Sequence, residues 1–470
     1  MTQLADIQAY TKLPFSGVIL PEITISPDLK TAAGAKPDCS NLEFLRQLCR
    51  QGFRAKLGHL TKDQVKVYGE RVKMELDTIG ALGFTDYILM IQDICRFADE
   101  KEIPRGPGRG SAGSSLVCYL IGITSLDPIE HGLFFTRFLS KARAKTTVVD
   151  SVVYVDGGLV PDVDMDFCTY RRHEIMDYLA VRYPGQTSKL LTTATFTSKS
   201  LIIDVLKVYE GASQEQAHQA SDLIDKKAGV PEEIEDAISD DEKKQNVRFK
   251  EWAADHEETV KIAMGLSGLN RSMGAHASAL LICAYPINQL IPLQVATDDE
   301  GDQHLVSGFD MYSAQELVLK FDILALKNLS VVHDVCKRIG IDRESIDIHD
   351  PAIYQALQDF MNRYGIFQLE SYSQGKVAEK IRPSNFAQLG DTLAISRPGS
   401  VDHLDQYLRY IHDGEYTPIH PVIDDILKPT GGVCLFQEQY LAMLVAIGMT
   451  PDEAEAARKV LGKKLIDKVP

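Results

Sequence analysis

The stretch that most restricts the fold is PDVDMDFC, residues 161 to 168, in which Asp162, Asp164 and Asp166 alternate with Val163, Met165 and Phe167. Side chains alternate across an extended chain, so this pattern writes a strand with one acidic and one apolar face. Carboxylates so close repel and raise one another's pKa unless a cation sits among them. Two readings follow: a solvated turn with aspartates at capping positions, or ligands for a hard divalent ion such as Mg²⁺, which binds through one or two carboxylates plus substrate phosphates. A second run, LVLKFDILAL (317–326), bears on the choice because it sets Lys320 and Asp322 on one face of an otherwise apolar strand. Such residues are rarely buried unless paired or liganded. Either they form an internal ion pair, or Asp322 completes a metal triad with Asp164 and Asp166 while Lys320 meets a phosphate.

The loop GPGRGSAGSS (106–115) is open to two readings as well. Gly108, Gly110 and Gly113 satisfy G-x-G-x-x-G, the dinucleotide fingerprint, and Asp127 or Glu130 could serve as its ribose-binding acid. That motif needs a full hydrophobic strand before its glycines, and DEKEIPR (99–105) is a poor one. The other reading has the loop's backbone amides gripping a triphosphate, with glycines allowing close approach and a serine hydroxyl adding a donor. Three carboxylates on adjacent strands beside such a loop specify phosphoryl or nucleotidyl transfer. Two ions about 3.5 to 4 Å apart would activate a 3′-hydroxyl and steady the leaving pyrophosphate.

At 470 residues, 44% hydrophobic and 25% charged, the chain reads as globular, with room for two to four domains. No apolar run approaches the roughly 18 residues of a spanning helix, and MTQLADIQAY lacks the regions of a signal peptide. A cytoplasmic location with no membrane partner is the expectation. The eight cysteines show no C-x-x-C and no zinc-ligand spacing, so they are expected to be reduced thiols. The net charge of −16 argues against nucleic acid as a partner, but the acid concentrates in PEEIEDAISDDEKKQNVRFKEWAADHEE (231–258). Basic residues gather at RFLSKARAK (137–145), TSKSLIIDVLKV (197–208) and ARKVLGKKLIDK (457–468), and such strips can still hold a phosphate backbone.

Along the chain, residues 1–40 read as an extended lead-in. Helical segments follow; in FTDYILMIQDICRFADEKEI, Tyr87, Met90, Ile91, Ile94 and Ala98 recur at helical spacing. KTTVVDSVVYVDGGLV reads as a hairpin of two short strands, and YRRHEIMDYLAVRY as a helix. Residues from about 195 to 275 form a polar, mainly helical lobe, HASALLICAYPI returns the chain to a sheet, and everything beyond 331 is helical in pattern. The fold class is α/β (α+β).

Seven motifs, GPGRGSAGSSLVCYLIGITSLDP, PDVDMDFC, LVLKFDILAL, IFQLES, SRPGS, PTGGVCLFQEQ and ARKVLGKK, resemble in this order those of the bacterial DNA polymerase III alpha subunits, the C-family replicative polymerases. The resemblance implies a DNA-directed DNA polymerase with a polymerase-beta-like nucleotidyltransferase palm (41–194 and 276–330), a mainly helical thumb (195–275) and partial helical fingers (331–470). It implies that Asp164, Asp166 and Asp322 bind two Mg²⁺ ions, that Gly110, Ser111 and Lys320 grip the triphosphate, and that Arg397, Arg458, Lys459 and Lys463 meet the incoming nucleotide. Asp162 would support the pair, and Arg271 and His276 of RSMGAHASALLI would lie near the active site or DNA. Primer–template DNA and dNTPs are the implied partners. The chain departs from the pattern in carrying neither the family's N-terminal phosphoesterase-like domain nor the parts beyond the first finger helices, and in the Ser that ends SRPGS. These departures point to a distributive enzyme, or to one that a second polypeptide or replisome proteins complete. A non-catalytic DNA-docking module and a Rossmann oxidoreductase are the competing readings.

Overall fold

Apolar residues between 18 and 25 are built into the core. In this computed structural model, which describes residues 17–462 apart from 142–144, 157–159, 228–229, 242–245, 299–300 and 360–364, Val18–Ile19 form a short strand antiparallel to Val152–Val155. Val18, Ile19, Leu20, Ile23 and Ile25 are all buried. Pro27–Ala32 is a helix that Ser26 caps. The extended lead-in read from the sequence thus includes, over its described residues, a short strand and a helix. Its alternating apolar residues supply one edge of a small sheet, which the prolines and glycines around them conceal.

The hairpin forms as read. Thr146–Val149 pairs antiparallel with Val152–Val155, and Asp150 and Ser151 between them take φ of 49° and 73°, as a two-residue turn with the twist of its strands requires. The helices Asn41–Lys56, Lys62–Ala81 and Thr85–Glu100 follow the predicted periodicity. Capping boxes begin the first two, at Ser40 with Glu43 and Thr61 with Gln64.

The chain divides into two compact units, the first comprising 1–188, 278–290 and 315–470 and the second 189–277 and 291–314. In the first, the strand Met165–Cys168 runs parallel to Leu319–Leu326, which pairs on its other side with Ala279–Ile282 in antiparallel register. These strands lie in a core with Ile88, Leu89, Ile91, Leu116 and Phe167. The helices of residues 372–413 have a smaller core of Val377, Ile381, Ile395, Leu404 and Tyr407, inside which the Tyr407 hydroxyl donates to Asp391 at 2.6 Å.

The second unit contains the helices predicted for 195–275, packed around Leu201, Ile202, Phe249 and Ala263. It also takes in 291–314, which the sequence reading gives to the second part of the palm. There Leu293–Thr297 and Gln303–Ser307 form a hairpin, whose Val306 lies beside Lys189 in parallel register. Arg271 pairs with Asp204 in this unit, and His276 lies on its strand Asn270–Ile282.

One close approach fixes the geometry around the glycine loop. A Cβ on Gly52, in the helix Asn41–Lys56, would lie 2.0 Å from the Leu120 carbonyl oxygen of the helix Leu116–Leu120. The two backbones touch, and only glycine allows it. Gly52→Ala should destabilise the protein by about 1–3 kcal/mol through overpacking. Gly69→Ala, where a Cβ meets nothing within 4 Å, should instead stabilise by about 0.5–1 kcal/mol from helix propensity. Opposite shifts in thermal unfolding of the two variants check this pair.

Candidate active site

The aspartate strand owes its position to pairing on both edges. Asp166 lies in register with Leu324 of the strand Leu319–Leu326, and the same register carried back two residues sets Asp164 opposite Asp322. Paired residues point to the same face, so Asp164, Asp166, Lys320 and Asp322 share one side, and Val163, Met165 and Phe167 go into the core. On the other edge, the Gly106 N–H donates to the Asp166 carbonyl at 2.8 Å and the Cys168 N–H to Pro104 at 2.8 Å. The segment before the glycines is thus a single bridge at Arg105 and not a strand.

The loop's conformation places it beside these carboxylates. Gly108 and Gly110 take φ of 109° and 66°, and a Cβ on Gly108 would strike Thr124 Cγ2 at 2.7 Å, so both positions need glycine. Gly110 faces Asp164, whose Oδ2 would lie 3.9 Å from a Cβ there. The Ser111 hydroxyl donates to the Asp162 carbonyl at 3.3 Å. The third glycine of the dinucleotide pattern is not demanded, because a Cβ on Gly113 would make only an ordinary contact, 3.8 Å from Leu126. Asp127, the acid such a site would need, accepts hydrogen bonds from the Tyr68 hydroxyl and the Ile129 N–H, each at 2.9 Å. The G-x-G-x-x-G match is therefore coincidental.

Both cations of the site belong to the chain. Lys320 Nζ lies 2.5 Å from Asp322 Oδ2. Arg109 Nη1 donates to Asp166 Oδ1 at 3.2 Å, and its Nε is 3.8 Å from Asp164 Oδ2. Burial, with the Asp164 and Asp322 charges added, raises the Asp162 pKa above the usual carboxylate value. Burial also raises that of Asp164, against the pull of Arg109 and with the push of Asp322. Among the described residues no three His, Cys, Asp or Glu side chains are already grouped to hold an ion.

A cavity of about 570 Å³ opens on this face, with Ser111, Asp162, Lys320, Asp322, Arg458 and Lys459 in its lining. Its volume lies within the range of small-molecule sites. Arg458 is held in a fork by the fully buried Glu455, at 2.7 and 2.8 Å. The helix Pro451–Gly462 that carries it is tied to the RFLS segment, Ser140 donating to Asp452 and Thr136 to the Pro451 carbonyl, while Arg137 pairs with Glu438 of the helix Gln437–Ala446. Of the residues assigned from sequence, Asp164, Asp166, Gly110 and Arg397 are not in its lining; Arg397 sits exposed just past the helix Phe386–Ile395. Lys463 lies outside the described residues, as do residues 1–16 of the lead-in and 142–144 of the first basic strip.

The sequence reading missed Arg109, Arg137, Tyr87 and Glu455. Arg109 had a signal, being the one charged residue in a ten-residue loop of small side chains. Tyr87 reads as helix core, yet it lines the cavity and its hydroxyl donates to the Pro161 carbonyl at 2.9 Å, holding the start of the aspartate segment.

Clustered carboxylates, a glycine–serine loop against them and cations in the lining of the same cavity are groups of the kind that phosphoryl or nucleotidyl transfer uses. The chain belongs to the bacterial DNA polymerase III alpha family. Residues 43–325 match the bacterial DNA polymerase III alpha NTPase domain and 328–469 the finger domain of that subunit. It is 33% identical to the DNA polymerase III subunit alpha of Aquifex aeolicus, over 92% of this chain and 38% of the relative. It is 31% identical to that of Campylobacter jejuni over 89% and 34%, and 31% to that of Staphylococcus aureus over 85% and 36%. The chain thus spans little more than a third of the length of these curated relatives.

Because the raised Asp162 pKa means that the folded state takes up the proton more readily than the unfolded chain, stability falls as pH rises from the ordinary carboxylate range through the raised pKa. Asp162→Asn removes this repulsion. Its Tm at pH 7 should exceed that of the native chain by roughly 1–2 °C, with the gain vanishing as the pH is lowered to where the native aspartate protonates. Thermal unfolding across pH checks the sign.

Proposed function

We propose that this chain is the catalytic core of a DNA-templated DNA polymerase, adding dNTPs to a primer 3′-hydroxyl during DNA replication. The observation that carries the reading is the convergence of Ser111, Asp162, Lys320, Asp322 and Arg458 on one cavity in a member of this family. In this reading 41–194 and 276–330 form a polymerase-beta-like palm, to which 1–40 lends a strand. Residues 195–275 are the thumb and 331–470 the fingers.

The carboxylate set fits Mg²⁺: three oxygen-donor side chains lie close together, and at Asp164 burial, with the Asp322 charge added, penalises the ionised form unless a cation offsets it. Asp164, Asp166 and Asp322 would hold the metal, two ions of which would supply the charge that lowers the primer hydroxyl's pKa and offsets that of the leaving pyrophosphate. The chain's own groups do the rest. The Gly110 and Ser111 amides, which donate to no other described residue, bind phosphate oxygens. Lys320 turns from Asp322 to the triphosphate, and Arg458 and Lys459 meet the nucleotide from the opposite wall, with Arg397 and Lys463 beside them once substrate is bound. Arg109 holds Asp164 and Asp166 in place before substrate arrives. Primer–template DNA and dNTPs are the partners; a second polypeptide or replisome proteins would extend the DNA-binding surface. No helix among the described residues is long and apolar enough to cross a membrane, in keeping with work in the cytoplasm.

Primer extension on a short primed template with Mg²⁺ tests the reading. The native chain should extend the primer, chelation should stop it, and Asp164→Asn and Asp322→Asn should each lower the rate at least about 10³-fold. Template binding without extension would replace the reading with a split-enzyme or non-catalytic module. Extension that survives both substitutions would move the chemistry elsewhere.

A further inference from the structure

The glycine–serine loop ends on a charge that faces away from the cavity. Glu75, in the helix Lys62–Ala81, is fully buried. Its carboxylate accepts the Leu116 and Val117 N–H groups, each at 3.0 Å, and the Ser115 hydroxyl at 2.8 Å. Arg71 supplies the counter-charge, its Nε 2.6 Å from Glu75 Oε1, while its Nη2 donates to the Ser114 and Leu133 carbonyls at 2.9 and 3.1 Å. The N-terminus of the helix Leu116–Leu120 is therefore already occupied by a carboxyl group of the chain itself. A substrate phosphate cannot be held there and falls to the loop upstream, where the Gly110 and Ser111 amides are among those that donate to no described residue.

We infer that Glu75, with Arg71, is a positioning residue for the triphosphate: it anchors the downstream end of the loop so that the Gly110 and Ser111 amides are set in place before substrate binds. This rests on the polymerase reading above. A buried carboxylate holding three donors is costly to remove, because each donor then loses its partner. An anchor that acts only on stability would lower Tm and leave the kinetics of the folded fraction alone. An anchor that acts through the loop raises the KM for dNTP and couples to Ser111.

The test is single-nucleotide incorporation by the native chain, Glu75→Gln, Glu75→Ala, Ser111→Ala and Glu75→Ala/Ser111→Ala, normalised to folded protein. Equilibrium binding of dATP with Mg²⁺ is measured beside it. For Glu75→Ala the KM for dNTP should rise at least about tenfold with kcat within about threefold. Glu75→Gln should recover most of the loss, because an amide keeps an acceptor for the backbone N–H groups. The Ser111→Ala effect should shrink in the Glu75→Ala background. Unchanged KM, or fully additive effects, would overturn the inference and leave the polymerase reading standing. If the native chain incorporates nothing, that reading fails, and dATP binding decides this one: weaker binding by Glu75→Ala, restored by Glu75→Gln, supports it, and equal binding or none by any form overturns it. Should Glu75→Ala not fold, Glu75→Gln and Arg71→Lys carry the same comparison.

Discussion

The constraint on which the rest of the site depends is the repulsion among Asp162, Asp164, Asp166 and Asp322. Sheet register fixes Asp166 and Asp322, which cannot move apart without breaking backbone pairs, and Asp164 directly precedes the paired strand. The chain answers with two cations at different points of its sequence, Lys320 two residues from Asp322 and Arg109 in the glycine loop. Both are reversible neutralisers. Each is on a flexible stem, Lys320 in the cavity lining and Arg109 about half exposed, and each could exchange its carboxylate for a phosphate at little cost in hydrogen bonding. A fold that merely needed stability would have placed apolar residues here, because buried ion pairs seldom outdo them. Keeping these acids and two bases so close together suits a site where charge is handed over.

That exchange works only if the loop carrying Arg109, Gly110 and Ser111 is stiff, and the stiffness comes from backbone contacts. Gly52 lets the helix Asn41–Lys56 lie directly on the Leu120 carbonyl. The Gly106 N–H ties the loop's start to the Asp166 carbonyl, and Glu75 ties its end. The loop therefore hangs between two fixed points, one on the aspartate strand and one on the core helices. Its few side chains could be small because its position does not rely on their packing.

Elements with a strong period were legible in the sequence. The aspartate strand, the hairpin at Asp150–Ser151, the helix Thr85–Glu100 and the helical lobe after residue 195 follow from alternation or 3.6-residue spacing, and the shared face of Lys320 and Asp322 follows from parity alone. The edge strand Val18–Ile19 did not show itself, being two residues long among prolines and glycines, with a partner more than 130 residues away. The attachment of 291–314 to the second unit was equally hidden, because hairpin strands carry no local record of which sheet they join. Among site residues, the acids were legible because charge inside an apolar run is conspicuous. Glu75 was not, because a single acid on a polar-looking helix reads as solvated surface; only its burial against the Leu116 and Val117 amides reveals its part.

The net charge of −16 looks, from composition, like an obstacle to holding DNA. Its distribution removes much of the difficulty. Glu75, Asp93, Asp391 and Glu455 are buried and bonded to donors inside the fold, and among the site aspartates Asp322 pairs with Lys320 and Asp164 and Asp166 with Arg109. Another block lies between 231 and 258, in the second unit. Acids that are paired internally contribute little field beyond a Debye length, about 8 Å at physiological ionic strength. What a phosphate meets at the cavity is therefore set by Lys320, Arg458 and Lys459 in the wall, and by Arg109 beside it. The sum of charges over a chain measures solubility and long-range steering; the local order of charges at this face governs whether a polyanion can settle there.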